Sequence, residues 1–381
     1  MKKMRRYLFL MISSVLLAAC NNDVDNVGNE GYVPSSKVIV FDAAEEGAVT
    51  RANGMIDDNV LKTKGFGVFG CYTGDMTYEN TTVSSDFMYN QLVTYNSNSR
   101  VWEYSPLKYW PNNSADYVSF FAYAPYEATP CDDGRCIIDM SKKKDLGDTW
   151  INYRLAEDPW NPKNPQVDLL YGQQEQGYNY GYSSWLDQQK PNDPVDSKLK
   201  FTFRHALACI GDEITIRLSP RLISLVEGYV TSIKITNVTI NYKNLTTKAR
   251  LVLRTEGFAN WKEIISGELA VTRTYNKKVK VEFIHPFETA EKNISSGDGL
   301  FYIPLKVADA DPTAEVTITY TVTNNTNHSY SGTATTSFPL SLNMEGQKQG
   351  IALQLTETLD LQHLVYTIGN GATEPSYSRQ R

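Results

Sequence analysis

A glycine-rich hexapeptide, GFGVFG from Gly65 to Gly70, has the spacing of a cofactor-binding loop. The pattern G-x-G-x-x-G holds a dinucleotide pyrophosphate where a strand meets a helix N-terminus. Here the preceding residues, VLKTK, are not an apolar strand, and the following ones, CYTGDMT, form a turn. Phe66 and Phe69 would also crowd a phosphate. The alternation of apolar residues predicts a strand in this stretch, and no cofactor is expected.

Candidate catalytic residues are few. No histidine belongs to an H-E-x-x-H motif, no G-x-S-x-G motif occurs, and the four histidines are scattered: His205, His285, His328 and His363. Paired carboxylates, such as Glu45 with Glu46, lie in soft or turn segments, whereas a hydrolytic pair needs rigid elements that face one cleft. We expect His205 to be a partly buried strand-end histidine that bonds to backbone groups. The sequence therefore indicates neither an enzyme nor a metal site.

Five cysteines are present, of which two bracket the stretch CDDGRC. The Asp-Gly turn signal between Cys131 and Cys136 predicts a hairpin whose ends approach each other. In an exported chain these two thiols can pair as a disulfide or stay free. Zinc is not expected, because no second Cys or His pair lies at ligand spacing. Cys71 and Cys209 lie in apolar, strand-like stretches and are expected in the core.

The first twenty residues, MKKMRRYLFLMISSVLLAAC, are typical of a secretory signal. Their apolar run is too short to span a bilayer. LLAAC resembles the bacterial lipobox, whose cysteine, here Cys20, becomes the lipid-modified first residue. The alternative is a plain signal peptide cleaved near Ala19. We therefore predict a signal peptide over 1–20 and a flexible acidic spacer over 21–35, with the membrane contacted through the lipid alone.

The composition is that of a globular protein with a net charge of −6. Apart from KKMRR at the start there is no long Lys/Arg cluster, so nucleic acid is not an expected partner. Apolar residues alternate with period two, which predicts an all-β chain. The alternating stretches are 87–95, 117–123, 198–205, 212–218, 232–242, 248–254, 277–285, 314–323 and 350–356. Arg221–Val230 and Asn260–Gly267 are short helical candidates. A change in composition near residue 220 predicts two β domains, 36–219 and 220–381.

Aromatic residues are concentrated between Val101 and Tyr126. Exposed rings there could stack on sugar faces, whereas buried rings would lock two strands together. Because the spacing alternates and the strands are adjacent in sequence, core packing is the favoured interpretation.

The stretch SKVIVFDAAEEGAVTRANG begins as a strand and continues as an open leader. Its strand formers are Lys37, Val38, Ile39, Val40 and Phe41. Small or acidic residues follow from Ala43 to Thr50, before a single basic residue, Arg51, and Ala52. A leader of this kind is accessible to proteases.

Five stretches in order make the chain similar to the fimbrillin family, the pilin lipoproteins of Bacteroides-type bacteria: LLAAC, FGVFGCY, WEYSPLKYWPNNSADYVSFFAYAPY, VDLLYG and FTFRHALACI. The third, close to W-x-Y-x-P-x-K-Y-W-P followed by A-Y-x-P, is the most specific. The matches span most of the N-terminal half. The C-terminal half shares with the family only a β-rich character and a high content of Thr and Val. The resemblance implies two tandem β-sandwich domains of transthyretin-like topology. It also implies an outer-membrane lipoprotein precursor that ends in a cell-surface fimbrium.

The resemblance further implies maturation by an arginine-specific protease, which removes the first strand. A strand from another pilus subunit, identical or paralogous, then fills the vacated groove. Arg51–Ala52 fits the cleavage position, so Lys37–Phe41 would be the removable strand; an uncleaved loop is the alternative. The candidate donor strand lies near the C-terminus: Leu364, Val365, Tyr366, Thr367 and Ile368. The tail beyond it departs from the family and either weakens that assignment or marks a tip or accessory subunit.

The sequence leaves two candidate functions for this protein. The first is a structural or tip subunit of an adhesive pilus, with a host or bacterial surface ligand. The second is a surface glycan-binding lipoprotein of a nutrient-uptake system, which would use exposed aromatic rings such as those of Trp102, Trp110, Trp160 or Trp185.

Overall fold

A computed structural model describes residues 38–45, 56–81, 84–128, 137–141, 148–160, 166–174, 185–191, 198–254, 259–264, 271–287, 291–295, 299–306, 310–340, 348–355 and 364–368. By internal contacts the chain forms two units, Met1–Ser36 and Lys37–Arg381, and all described residues lie in the second. Strands dominate these residues, so the all-β prediction is confirmed. No helix among them is long and apolar enough to cross a membrane.

The first half of the described chain contains one short α-helix and ten strands. In chain order they are β1 (Val40–Glu45), α1 (Asp58–Lys64), β2 (Phe66–Gly74), β3 (Met88–Asn96), β4 (Val101–Glu103), β5 (Tyr117–Ala124), β6 (Ile137–Met140), β7 (Trp150–Arg154), β8 (Leu170–Gln174), β9 (Trp185–Gln188) and β10 (Lys198–His205). A 3-10 turn covers Tyr78–Asn80.

The second half contains a further α-helix and eleven strands. They are β11 (Ala208–Leu218), α2 (Pro220–Val226), β12 (Val230–Leu245), β13 (Lys248–Val252), β14 (Asn260–Lys262), β15 (Val271–Ile284), β16 (Glu291–Ser295), β17 (Leu300–Tyr302), β18 (Thr313–Asn324), β19 (Ser329–Pro339), β20 (Lys348–Leu355) and β21 (Leu364–Ile368).

An eight-stranded sheet has the order β1-β10-β8-β5-β2-β3-β4, with β9 beside β5. Both faces of its centre are buried, because β2 and β5 send alternate side chains to opposite sides. Phe66 and Phe120 enter a core that also holds residues of the edge strands β1 and β4, whereas Phe69 and Phe121 enter a second core. That second core is covered by a four-stranded sheet with the order β14-β13-β7-β6. Burial on both faces explains why these strands read as nearly continuous apolar runs.

The C-terminal part packs two further sheets over a third core. One has the order β16-β11-β20-β21, with β17 beside β11, and the other has the order β15-β12-β18-β19. Alternation in β12 buries Ile233 and Ile235, and after a bulge Val238 and Ile240. Of the strand pairs in the described chain, two are parallel, β1 with β10 and β11 with β20.

Strand pairing crosses the domain boundary expected at residue 219 in both directions. β11 lies before the boundary and pairs with β16, β17 and β20 after it. β13 lies after the boundary and pairs with β7 before it. The division into tandem sandwich domains therefore stays a prediction.

The GFGVFG stretch lies at the start of β2, so the strand prediction is confirmed. Gly67 is required there by close approach, because a Cβ at this position would lie 2.4 Å from Cε1 of Tyr123. Packing of the Tyr123 ring against the sheet thus explains the glycine at position 67.

One helical expectation is confirmed and the other is wrong. α2 begins after Ser219, whose hydroxyl accepts a hydrogen bond from the Leu222 amide at 3.0 Å. Within the stretch Asn260–Gly267, where a helix was expected, Asn260–Lys262 instead form strand β14, paired with β13, and residues 265–267 lie outside the described residues. Trp261 of β14 is buried and donates from Nε1 to the carbonyl of Ala206 at 2.9 Å, which fixes an extended backbone.

Candidate functional site

The first strand occupies a groove at the edge of the eight-stranded sheet, here called the β1 groove. β10 forms one wall, and β1 pairs with it in parallel from Val40 opposite Lys198 to Glu45 opposite Phe203. The residues after β4 form the other wall. There the Ile39 amide donates to the carbonyl of Lys108 at 2.9 Å, and Tyr104 Oη donates to the carbonyl of Ile39 at 2.7 Å.

Side chains on one face of β1 fill this groove. Ile39, Phe41 and Ala43 are buried in the core that the edge strands β1 and β4 share. The ring of Phe41 lies 5.4 Å from Tyr104 and 5.6 Å from Phe120, measured between ring centroids. Alternation along the strand therefore places two large apolar groups and one small group inside.

The strand differs in extent from the expected removable strand, Lys37–Phe41. Regular pairing begins at Val40 and continues to Glu45, while Val38 makes a single bridge to Tyr109. The predicted strand ended at Phe41 because Ala43 and its neighbours are small or acidic. In the fold, the small methyl group of Ala43 is buried and Glu45 has a specific polar partner. The removability of the strand stays a prediction.

That partner is His205, the last residue of β10. Its Nε2 lies 3.1 Å from Oε1 of Glu45, and its Nδ1 lies 2.6 Å from Oδ2 of Asp168. The three side chains are 9% exposed or less. Asp168 also accepts hydrogen bonds from the amides of Ile56 and Leu169. The C-terminal end of β1 is thus attached to the body of the protein through a buried carboxylate–histidine–carboxylate cluster.

Helix α1 contributes a further contact to the end of β1. Its N-cap, Asp57, accepts from the Val60 amide, and Asp58 in the first turn accepts from the Glu45 amide at 3.1 Å. Asp58 is also paired with Lys62 at 2.9 Å. Burial acts to raise the pKa of Asp58, but the bonds from Lys62 and Glu45 lower it below its usual value.

The electrostatics of the cluster favour a doubly protonated imidazole. Burial acts to lower the pKa of His205, but the carboxylates of Asp168 and Glu45 outweigh it and raise that pKa above its ordinary value. Burial raises the pKa of Glu45, against the opposing attraction of His205. Both ring nitrogens can then donate, one to each carboxylate.

Sequence reasoning gave His205 the wrong partners. It expected backbone groups, whereas the ring bonds to two carboxylates that are distant in sequence. Period-two alternation assigns residues to faces of a strand but does not say which strands are neighbours. The sequence therefore did not indicate that Asp168 and Glu45 lie beside His205.

This arrangement differs from a catalytic or metal site. A catalytic histidine needs one ring nitrogen free to take a proton from a nucleophile or water. Here both nitrogens bond to carboxylates. The two carboxylates also lie on opposite sides of the ring, so they do not converge on one cation. Within the described residues, no group of three or more His, Cys, Asp or Glu is arranged to hold a metal ion.

Several predicted site residues lie outside the described residues: Cys20, Lys37, Arg51, Ala52, Cys131 and Cys136. Cys71 and Cys209 are buried, as expected. The candidate donor Leu364–Ile368 coincides with β21, which pairs with β20 at one end of its sheet. Its role as a donor stays a prediction.

The tryptophans considered as sugar platforms are packed into the protein. Trp102 and Trp110 are buried in the core around β1. Trp185 is half-buried and donates from Nε1 to the carbonyl of Lys200. Trp160 is half-buried against Tyr275, with 5.3 Å between the ring centroids. Core packing, the favoured interpretation of the aromatic block, is confirmed for Trp102 and Trp110.

Comparisons with known proteins agree with this architecture. A family model described as fimbrillin-like matches residues 50–368. Fimbrium subunit Fim1C of Phocaeicola vulgatus is 24% identical over 230 residues, which cover 60% of this chain and 55% of the relative. The crystal structure of a fimbrial protein from Bacteroides vulgatus has a TM-score of 0.62 at 20% identity, covering 87% of this chain and 98% of that one. The family match spans most of the sequence, and the chain therefore belongs to the fimbrillin-like family.

Proposed function

We propose that this protein is a structural or tip subunit of an adhesive surface pilus that assembles by strand exchange. It would be exported as a lipoprotein through Cys20, reach the cell surface, and be cut after Arg51 by an arginine-specific protease. The observation that carries the proposal is the β1 groove. An edge strand fills a core with three buried side chains, and the predicted cleavage site follows it in the sequence.

Removal of β1 would leave two requirements unmet, one of the backbone and one of the core. The outer edge of β10 would present unpaired N–H and C=O groups, and the sites of Ile39, Phe41 and Ala43 would become an apolar cleft. A strand from another subunit satisfies both requirements at once, because its backbone completes the sheet and its alternate side chains fill the cleft. The same groove thus supports a folded precursor and a polymer.

The names of the relatives support a role in a fimbrium. One is a fimbrium subunit and the other a fimbrial protein. The chain spans about half the length of the curated relative, so the activity of that whole protein is carried over only as part of this proposal. The four tryptophans named for the glycan-binding alternative are buried or half-buried, so they do not support it.

The test begins with purified precursor treated with an arginine-specific protease. We expect a new N-terminus at Ala52, read by N-terminal sequencing, followed by oligomers that resist SDS. Arg51→Lys keeps the positive charge but removes the arginine, so this variant should stay uncut and monomeric. Arg100→Lys, at an exposed turn, is the matched control and should behave like the unmodified protein.

A mature N-terminus at another residue would contradict the cleavage step. Assembly by uncut Arg51→Lys protein would contradict the link between cleavage and polymerisation. Strong glycan binding by the monomer, without ladders after cleavage, would favour the nutrient-uptake alternative.

A further inference from the structure

We propose that His205, positioned by Asp168, selects the strand that enters the β1 groove by requiring a carboxylate in the place of Glu45. This inference rests on the proposed function, because it specifies the chemistry of the incoming strand. The partner is a strand with apolar side chains at three alternate positions and an acidic residue at the fourth.

The first step is that half of the cluster belongs to the body of the protein. Asp168 is held by the amides of Ile56 and Leu169 and by His205 Nδ1, none of which lies on β1. Loss of β1 would therefore leave the Asp168–His205 pair in place. Only Nε2 of His205 would lose its acceptor, since Glu45 leaves with the strand.

The second step is the cost of refilling the groove without a carboxylate. A new strand would bury Nε2 again, and a buried N–H without an acceptor weakens binding by about tenfold or more. A carboxylate restores a charge-assisted bond to a ring whose protonated form Asp168 favours. His205 is therefore a specificity-determining residue of the groove, acting together with its positioning partner Asp168.

The third step fixes the position of the acid. Ile39, Phe41, Ala43 and Glu45 alternate along β1 and share one face, with the acid at the end that meets His205. Because the strand runs parallel to β10, an incoming strand that reproduces these contacts must enter in the same direction.

A second copy of this chain carries such a strand. Ile351–Glu357 reads IALQLTE and has the spacing of Ile39–Glu45, which reads IVFDAAE. The strand β20 includes most of this segment and runs parallel to β11, as β1 runs parallel to β10. If Leu364 instead took the place of Ile39, Asn370 would face His205 and no carboxylate would be supplied.

The test uses protein cleaved after Arg51, freed of its first strand, and three synthetic peptides that span Lys37–Glu45. The first has the native sequence, the second carries Glu45→Gln and the third carries Asp42→Asn. Asp42 is the matched control, because it lies on the same strand but faces away from the cluster. In a fluorescence titration, the Glu45→Gln peptide should bind about tenfold or more weakly than the native peptide. The dissociation constant of the Asp42→Asn peptide should stay within about twofold of the native value.

The substitutions are made in the peptides, so the fold of the protein is not at risk in this comparison. A His205→Gln protein, where it folds, should bind the native and Glu45→Gln peptides within about twofold of each other. Equal binding of these two peptides to the unmodified protein would overturn the inference. An equally large loss for the Asp42→Asn peptide would also overturn it, because the effect would then be one of overall charge.

A second measurement does not depend on cleavage. In the uncut chain, amide hydrogen exchange of β1 should be faster in Glu45→Gln protein than in Asp42→Asn protein, since only the former loses the charge-assisted bond to His205 and keeps at most a weaker, neutral one. Equal exchange would overturn the inference. If the uncut chain shows the difference but is never cut after Arg51, the proposed maturation fails while the role of His205 stands.

Discussion

At the scale of single residues, the buried cluster of Glu45, His205 and Asp168 couples the attachment of β1 to pH. A histidine whose pKa is raised in the folded state stabilises that state fully below its unfolded pKa, near 6.5. The stabilisation is lost as the pH rises through the folded pKa. The raised pKa of Glu45 has the same sign, because the protonated form is favoured in the folded state. Among the neighbouring charges, Asp58 is paired with Lys62, which limits its repulsion of Glu45.

We therefore expect His205→Gln to destabilise the protein more at about pH 6 than at about pH 9. The measurement is the free energy of unfolding in urea for both proteins at each pH. Asp42→Asn provides the control, and its difference from the unmodified protein should be the same at both values. If His205→Gln does not fold, Glu45→Gln gives a comparison of the same sign. A difference that grows as the pH rises would contradict the prediction.

At the scale of the element, β1 is held mainly by apolar packing. Phe41 is 2% exposed and contacts three aromatic side chains, from Tyr104, Phe120 and Phe201. We expect Phe41→Ala to lower the free energy of unfolding by about 3 kcal/mol, the usual cost of the cavity left by a buried phenylalanine. Urea unfolding of the full chain measures the loss.

Asp42→Ala is the matched control for this strand, because its side chain lies on the other face and is half-buried. Its effect should stay within about 1 kcal/mol. Similar unfolding midpoints for the Phe41→Ala and Asp42→Ala proteins would show that β1 contributes little to the core of the precursor.

The sequence predicted most strands but not their neighbours. Period two located β5, β10 and β18 to within one residue at each end, whereas β12 extends two residues before and three residues after the predicted 232–242. No local sequence pattern indicated that β13 pairs with β7. The same limit applies to the candidate site. The strand formers of β1 were recognised, whereas the contact of Glu45 with His205 depends on a parallel pairing of strands far apart in sequence.

At the scale of the whole molecule, the described strands include two parallel pairs. β1 and β20 each run beside one of two consecutive strands, β10 and β11. β20 has one further neighbour, β21, in the described sheet. Release of the β20–β21 pair would therefore expose the edge of a single strand, β11, while removal of β1 exposes the edge of β10. Strand exchange between copies would pair one released strand with one vacated edge.

The similarity of the two parallel pairs suggests a test of which C-terminal segment is donated, Ile351–Glu357 or Leu364–Ile368. If Ile351–Glu357 enters the groove of the next subunit, Glu357→Gln should reduce the yield of SDS-resistant polymer after cleavage by about tenfold, because the charge-assisted bond to His205 is lost. Glu374→Gln, in the C-terminal tail, is the control and should polymerise normally. A chain that ends at Leu361 lacks β21 but keeps Ile351–Glu357, so it should still assemble. If that truncation abolishes the polymer while Glu357→Gln leaves its yield unchanged, the donor is Leu364–Ile368 and the role of Ile351–Glu357 is refuted.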